Sequence, residues 1–154
     1  AQIVDRYKDR LFEENLAAAV PQKPPESGGQ FVGAETCGSC HKKQMVVFRN
    51  MKHIHAFESL EPRKGTRNPE CLRCHVTGFG FESGSTGIET SPHLASVSCE
   101  SCHGVGSNHM SNPQPGFGKV SSPAALCMRC HDKENSPKFD FKTYWEKIKH
   151  PGKD

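Results

Sequence analysis

The chain has 154 residues, which is enough for one domain or for one domain with a short extension. Only 34% of the residues are hydrophobic, and 14 glycines and 11 prolines interrupt the chain, so side chains alone would build only a small core. The net charge of +3 is too small to indicate nucleic-acid or membrane-surface binding, and no run of 18 apolar residues predicts a transmembrane span.

Residues 3–20 carry apolar side chains at roughly helical spacing and predict an N-terminal helix. The next stretch, residues 21–30, reads PQKPPESGGQ and has the composition of a linker. We therefore divide the chain into an N-terminal helix and linker, residues 1–30, and a main domain, residues 31–154.

Within the main domain, residues 42–60 contain neither glycine nor proline and predict one long helix. Residues 141–150 predict a second helix. The sequence between these two segments is rich in turn residues, and it shows no alternating pattern of the kind that predicts strands. The expected fold class is mainly α with extensive irregular chain.

Four copies of the motif Cys-x-x-Cys-His punctuate the main domain. They use all eight cysteines, which are Cys37, Cys40, Cys71, Cys74, Cys99, Cys102, Cys127 and Cys130. The histidines that follow are His41, His75, His103 and His131. Two thiols at this spacing can bond covalently to the two vinyl groups of a heme, and the adjacent histidine can then bind the iron as its proximal ligand. The motifs therefore predict four covalently attached c-type hemes.

Other cysteine chemistries fit this pattern less well. Disulfide frameworks and Cys₄ zinc sites require no histidine after every second cysteine, and thioredoxin-like motifs usually occur singly within a βαβ unit. Four histidines in these places by chance have a probability of roughly one in 10⁵. Four hemes would also supply the apolar surface that the chain lacks, so we expect the protein to wrap around them.

Five further histidines are candidates for the second axial position of each iron: His53, His55, His93, His109 and His150. If residues 42–60 form one helix, His41 and His53 lie about 18 Å apart along its axis and cannot share an iron. His109 follows His103 too closely to cap the same heme. With these histidines present, we expect none of the methionines (Met45, Met51, Met110 and Met128) to bind iron.

Residues 32–150 resemble the tetraheme cytochrome c-554 family, electron carriers of ammonia-oxidising bacteria and their relatives. The resemblance is carried by residues 53–60 (HIHAFESL), 71–80 (CLRCHVTGFG), 99–106 (CESCHGVG) with His109, and 139–150. It implies hemes stacked in pairs and a crossed pattern of ligation. By that pattern the iron on His41 takes His150, the iron on His103 takes His53, and the iron on His131 takes His109.

The resemblance leaves the heme on His75 open to three interpretations. In the family's type member this iron is five-coordinate, but the segment between His131 and Phe139 is shorter here, so any cover supplied from there is missing. His93 is the first candidate for the sixth ligand and His55 the second, and an open axial position is the third interpretation.

The function expected from these residues is electron transfer between redox partner proteins, without catalysis. Protomers joined end to end, as in extracellular electron transfer, are one version of this function. The alternative is an enzyme that reduces a small nitrogen oxide at the His75 heme. It would need an acid or base, and the nearby Glu82 and Glu89 are expected to be solvated charges.

Covalent heme attachment takes place outside the bacterial cytoplasmic membrane, so we expect a periplasmic or extracellular protein. Because the chain begins at Ala1 without a hydrophobic leader, it is interpreted as a mature or excised chain. The N-terminal helix and linker also resemble the junction found in relatives where this module follows a phosphoesterase-like domain.

Overall fold

The computed structural model describes residues 2–152 and consists of short helices joined by irregular segments. The α-helices in this range are α1 Gln2–Glu13, α2 Ala34–Gly38, α3 Lys42–Arg49, α4 Pro69–His75, α5 Cys99–His103, α6 Ser107–Ser111, α7 Pro123–Cys127 and α8 Phe141–Ile148. Short 3₁₀ helices occupy Lys52–His55, Glu58–Arg63 and Pro92–Leu94. Residues 2–152 contain no strand, only an isolated parallel bridge between Lys23 and Phe81. The predicted fold class is confirmed.

The N-terminal helix is shorter than the predicted 3–20 and packs against the rest of the chain. Helix α1 ends at Glu13, and the following turns bury Ala17 in a cluster with Phe57 and Leu72. The guanidinium of Arg67 lies 4.7 Å from the ring centroid of Phe12 and donates to its backbone carbonyl. The N-terminal segment thus covers the region of the second Cys-x-x-Cys-His motif, and the division at residue 30 stays a prediction.

The prediction of one helix over residues 42–60 is wrong. Helix α3 ends at Arg49, the side-chain amide of Asn50 donates to the carbonyl of Val46 at 2.8 Å, and Met51 is extended with φ −84° and ψ 150°. An asparagine side chain that bonds to the preceding turn competes with continuation of a helix. The chain therefore turns after α3 and continues as two 3₁₀ helices.

Two small apolar clusters lie on either side of this break. The first contains Ala34, Met45 and Phe48, and the second contains Ala17, Phe57, Leu60, Leu72 and Val76. The change of direction at Met51 allows one segment, residues 42–60, to supply side chains to both clusters.

The C-terminal helix matches its prediction closely, since α8 spans Phe141–Ile148 within the predicted 141–150. Asp140 caps its N-terminus by accepting from the hydroxyl and the backbone N–H of Thr143, at 2.6 and 2.9 Å. These two hydrogen bonds lower the pKa of Asp140. His150 lies two residues beyond the last helical residue.

The chain exposes more surface than a compact protein of its size. Its accessible surface is 10317 Å², whereas a compact monomer of 17.0 kDa exposes about 7,700 Å². This agrees with the small size of the two apolar clusters. No helix among residues 2–152 is both long enough and apolar enough to cross a bilayer.

Replacement of Leu60 by alanine should destabilise the heme-loaded protein by about 2–5 kcal/mol, because Leu60 is only 5% exposed and its loss leaves a cavity in the second cluster. Denaturant titration followed by far-UV circular dichroism measures the change. The matched control is Val46→Ala, at a side chain 64% exposed, with an expected effect within about 0.5 kcal/mol. Equal effects of the two substitutions would contradict the assignment of Leu60 to the core.

Candidate heme-binding sites

Each motif is carried by a short helix or helical turn. Backbone hydrogen bonds run from His41 N–H to the carbonyl of Cys37 at 3.0 Å and from His131 N–H to that of Cys127 at 2.9 Å. In helical backbone, residues i, i+3 and i+4 share one face. The two thiols and the histidine of a motif are therefore presented together to the same side, as covalent heme attachment requires.

Histidines from distant parts of the sequence meet as facing pairs. His41 faces His109 with ring centroids 6.1 Å apart, His53 faces His131 at 6.0 Å, and His103 faces His150 at 5.7 Å. Each pair joins one motif histidine to one of the candidate distal histidines. Three of the four motif histidines thus have an imidazole partner supplied from outside their own motif.

The spacing of these pairs fits a heme iron. A metal–imidazole bond is about 2 Å long, so an iron between two facing rings needs centroids roughly 6 Å apart once the ring radii are added. The paired rings therefore fit heme bound by two histidines.

The structure corrects the pairing that the resemblance implied. His150 meets His103 and not His41, His53 meets His131 and not His103, and His109 meets His41 and not His131. The reason is the packing of the first motif against the third, where α2 contacts α5. Because His109 follows α5 by only a short turn, it reaches the neighbouring first motif.

Backbone and hydroxyl oxygens orient the imidazoles. The Nδ1 of His75 lies 2.7 Å from the carbonyl oxygen of Ala56, and the Nδ1 of His103 lies 2.7 Å from that of Gly118. The Nδ1 of His131 lies 3.1 Å from the hydroxyl of Ser136. An Nδ1–H that donates to such an oxygen leaves Nε2 deprotonated and free to bind a metal.

The oxygen that orients His103 requires glycine at position 118. Gly118 has φ +66°, and a Cβ there would lie 2.9 Å from the Cβ of His103. Only glycine combines this left-handed backbone with such a close approach. The sequence therefore fixes the orientation of His103 partly through a residue 15 positions further along the chain.

Phenylalanine rings hold two of the paired histidines from the side. Phe117 stacks on His109 with centroids 4.4 Å apart, and Phe139 stacks on His131 at 4.7 Å. The Nδ1 of His109 is buried and has no hydrogen-bond partner, so stacking is what orients this ring. A cavity of about 480 Å³ opens beside His109 and Phe117.

Burial favours the form of histidine that binds iron. Burial lowers the pKa of His131. Burial is also the main cause that lowers the pKa of His53, and the neighbouring His131 lowers it further. Both imidazoles are thereby kept neutral at physiological pH, and neutral imidazole is the metal-binding form.

His75 differs from the other motif histidines. Among residues 2–152, no ring contact joins His75 to a second histidine. His55 adjoins Ala56, whose carbonyl bonds the Nδ1 of His75, and its ring is exposed beside Glu58 at 2.9 Å. His93 is exposed and packs against Gly33. The structure therefore does not bring either sixth-ligand candidate onto the ring of His75.

The remaining candidates differ in burial. Met45 is in the core, and Met110 and Met128 are about half exposed. Glu82 and Glu89 are exposed, and Glu89 pairs with Arg67 at 2.7 Å. Within residues 2–152, no group of three or more His, Cys, Asp or Glu side chains could hold a metal ion, which is the arrangement that a Cys₄ zinc site would need.

Cysteines of different motifs are close neighbours. The side chains of Cys37 and Cys99 interact directly, which raises the pKa of Cys37 and lowers that of Cys99. Burial and the neighbouring Cys74 raise the pKa of Cys130 to about 12. The first motif therefore adjoins the third, and the second adjoins the fourth.

Several residues of these sites were not predicted from the sequence. Ser136 and the carbonyls of Ala56 and Gly118 orient histidines, yet nothing in their local sequence indicates that role. Glu100, inside the third motif, is buried and holds backbone amides of another segment. The one feature of the sequence that could have indicated this role of Glu100 is its position between the two cysteines of the third motif.

Thiol pairs and histidines on common helical faces, with a second imidazole opposite three of them, define a multiheme c-type cytochrome. The comparisons agree with this class. Residues 36–104 match the family described as cytochrome c554 and c-prime, and the chain is 38% identical over 110 residues to cytochrome c-554 of Nitrosomonas europaea. Over these residues the chain is similar to the cytochrome c-554 family.

This chain spans less than half the length of the curated relatives that it matches. The alignment with the Nitrosomonas protein covers 62% of this chain and 43% of that protein. A second relative, multiheme cytochrome MtrA of Shewanella baltica, is 25% identical over 134 residues, which cover 82% of this chain and 32% of MtrA. No solved structure matches the chain significantly.

Replacement of Ser136 by alanine should raise the reduction potential of the heme on His131. The hydroxyl accepts from Nδ1–H at 3.1 Å, and its loss makes the imidazole a weaker electron donor to the iron. Potentiometric titration followed optically measures the shift. The control is Ser111→Ala, where the hydroxyl bonds only to the carbonyl of Ser107 in its own helix. Unchanged potentials in the first variant would contradict this role for Ser136.

Proposed function

We propose that this protein transfers electrons through four covalently attached c-type hemes. The observation that carries the proposal is the set of three facing histidine pairs at 5.7–6.1 Å, each built from a motif histidine and a histidine of another segment. The four Cys-x-x-Cys-His motifs supply covalent attachment, and the family supports heme as the cofactor. Heme, when bound, supplies reversible one-electron chemistry.

The protein residues then have distinct tasks. His41, His75, His103 and His131 serve as proximal ligands, and His109, His53 and His150 serve as distal ligands. Two strong-field imidazoles hold an iron in the same coordination in both oxidation states, which keeps the reorganisation on electron transfer small. Ser136, Ala56 and Gly118 fix the ring orientations, and Phe117 and Phe139 pack beside the ligands.

The contacts between motifs suggest an order for the electron path. The first motif adjoins the third through Cys37 and Cys99, and the second adjoins the fourth through Cys74 and Cys130. Cys102 of the third motif also lies near Cys127 of the fourth. Burial is the largest cause that raises the pKa of Cys102, and the neighbouring Cys127 is the second. We therefore order the hemes first, third, fourth and second along the path, with redox partner proteins at its two ends.

A second function is favoured by one observation. No histidine ring faces His75 among the described residues, so the heme on this motif would retain an open axial position. Binding or reduction of a small nitrogen oxide would require that position. The exposed, solvated Glu82 and Glu89 do not form an acid or base constellation beside it, so we propose that electron transfer is the function and that ligand binding at this heme is secondary.

We place this activity outside the bacterial cytoplasmic membrane, in the periplasm or on the cell exterior, because covalent heme attachment takes place there. End-to-end association of protomers, with electrons passing from one copy to the next, is a further part of the proposal.

The first test uses the native heme-loaded protein. Mass spectrometry should show four hemes, and low-temperature EPR of the oxidised protein should show three low-spin hemes and one high-spin heme. After reduction, carbon monoxide should change the optical absorbance by the amount expected for one heme in four, because only the His75 heme has an open position. Fewer than four hemes would contradict the function, and complete insensitivity to carbon monoxide would contradict the open position.

The ligand pairing has its own test. His53→Met should raise the potential of one heme, since methionine ligation favours ferrous iron. In the variant that combines it with Ser136→Ala, both shifts should fall on the same one-electron step, because His53 and Ser136 both act on the iron of His131. Shifts on two different steps would support the pairing of His53 with His103 instead. His55→Met is the matched control and should leave all four potentials unchanged.

A further inference from the structure

Glu100 is a buried acid that the ligand sites do not use. It lies in the third motif, between Cys99 and Cys102, and is only 4% exposed. Within residues 2–152, no cation is among the partners of its carboxylate, and its hydrogen bonds are to backbone N–H groups. Burial of a carboxylate is costly unless hydrogen bonds replace its hydration, so its presence here needs an explanation.

Three backbone amides surround the carboxylate. Val32 N–H donates to both oxygens at 3.0 and 3.1 Å, Gly33 N–H donates at 2.9 Å and Gly106 N–H donates at 2.8 Å. In this arrangement both terminal atoms of the side chain must accept hydrogen bonds. A glutamine would turn its NH₂ group toward at least one of these donors, so the geometry selects a carboxylate.

These contacts join two heme-binding units. Val32 and Gly33 lead directly into α2, which begins at Ala34 and carries Cys37, whereas Glu100 belongs to α5 of the third motif. Gly106 lies in the turn from α5 to the helix that carries His109, which faces His41. A Cβ on Gly106 would lie 3.2 Å from an oxygen of Glu100, so the approach is close. One side chain thus fixes the first unit, the third unit and the ligand that passes between them.

The carboxylate also lies near the attachment points of both hemes. Cys37 and Cys99 adjoin each other, and after their mutual hydrogen bond and burial the charge of Glu100 further raises the pKa of the Cys37 thiol. A negative charge in this buried position acts on neighbouring groups with little screening. It stabilises the ferric state of a nearby heme, which carries one more positive charge than the ferrous state.

We propose that Glu100 is a positioning residue that clamps the first heme-binding unit to the third and whose buried charge lowers the reduction potentials of the hemes on His41 and His103. The inference rests on the proposed function, since it concerns two of the four hemes.

The test compares two neutralised glutamates in the heme-loaded protein. Glu100→Gln should raise two of the four one-electron potentials and leave the other two unchanged. Glu35→Gln is the matched control: Glu35 lies on α2 of the first unit, but its side chain is 78% exposed and pairs with Arg49, so solvent screens its charge. Heme content by mass spectrometry and EPR-monitored potentiometry are the readouts. A purely structural role would lower the thermal midpoint without a selective shift in potential, and that result would overturn the electrostatic inference.

A second variant applies if Glu100→Gln does not accumulate with four hemes. Glu100→Asp keeps the charge but is too short to reach all three amides, so the expected result is a lower thermal midpoint with all four potentials near those of the native protein. Two raised potentials in this charged variant would overturn the proposal. Native protein that lacks four hemes would instead contradict the proposed function, so the two failures are distinguishable.

Discussion

Facing imidazoles are the constraint on which the rest of this structure depends. Each pair joins a motif histidine to a histidine from another segment, at the separation that one iron requires. In an ordinary domain of this size, such long-range connections are made by a continuous apolar core. Here the two apolar clusters are small, so in the proposed arrangement axial ligation supplies part of the long-range connection that a core makes elsewhere.

Several features of the fold follow from this constraint. Regular helices are short because each motif needs only a turn or two to present two thiols and a histidine. The break after α3 directs His53 toward His131, which one straight helix over residues 42–60 would not do. Oxygens that orient the ligands come from loop carbonyls and from Ser136, and loops can supply them because little regular structure constrains their path.

The contacts between segments also bear on the reduction potentials of the proposed hemes. Potentials of hemes depend on axial ligands, on hydrogen bonds to those ligands and on nearby charge. In the proposed arrangement all three are supplied across segment boundaries: His109 from beyond α5, the carbonyl of Gly118 to His103, and Glu100 to the amides of Val32 and Gly33. By that proposal, electron transfer and folding depend on the same contacts. The exception is His75, which has no facing histidine among the described residues.

The sequence by itself determined the class of protein, because the spacing of two thiols and a histidine is set by local covalent chemistry. It also identified His53, His109 and His150 as distal candidates and predicted α8, where a local cap and helical spacing suffice. Only the tertiary structure decided which imidazole meets which, where the segment 42–60 breaks, and that Glu100 joins two units. These features depend on contacts between residues far apart in the chain. The order of residues along the chain does not show which of several equivalent histidines lies opposite a given motif histidine.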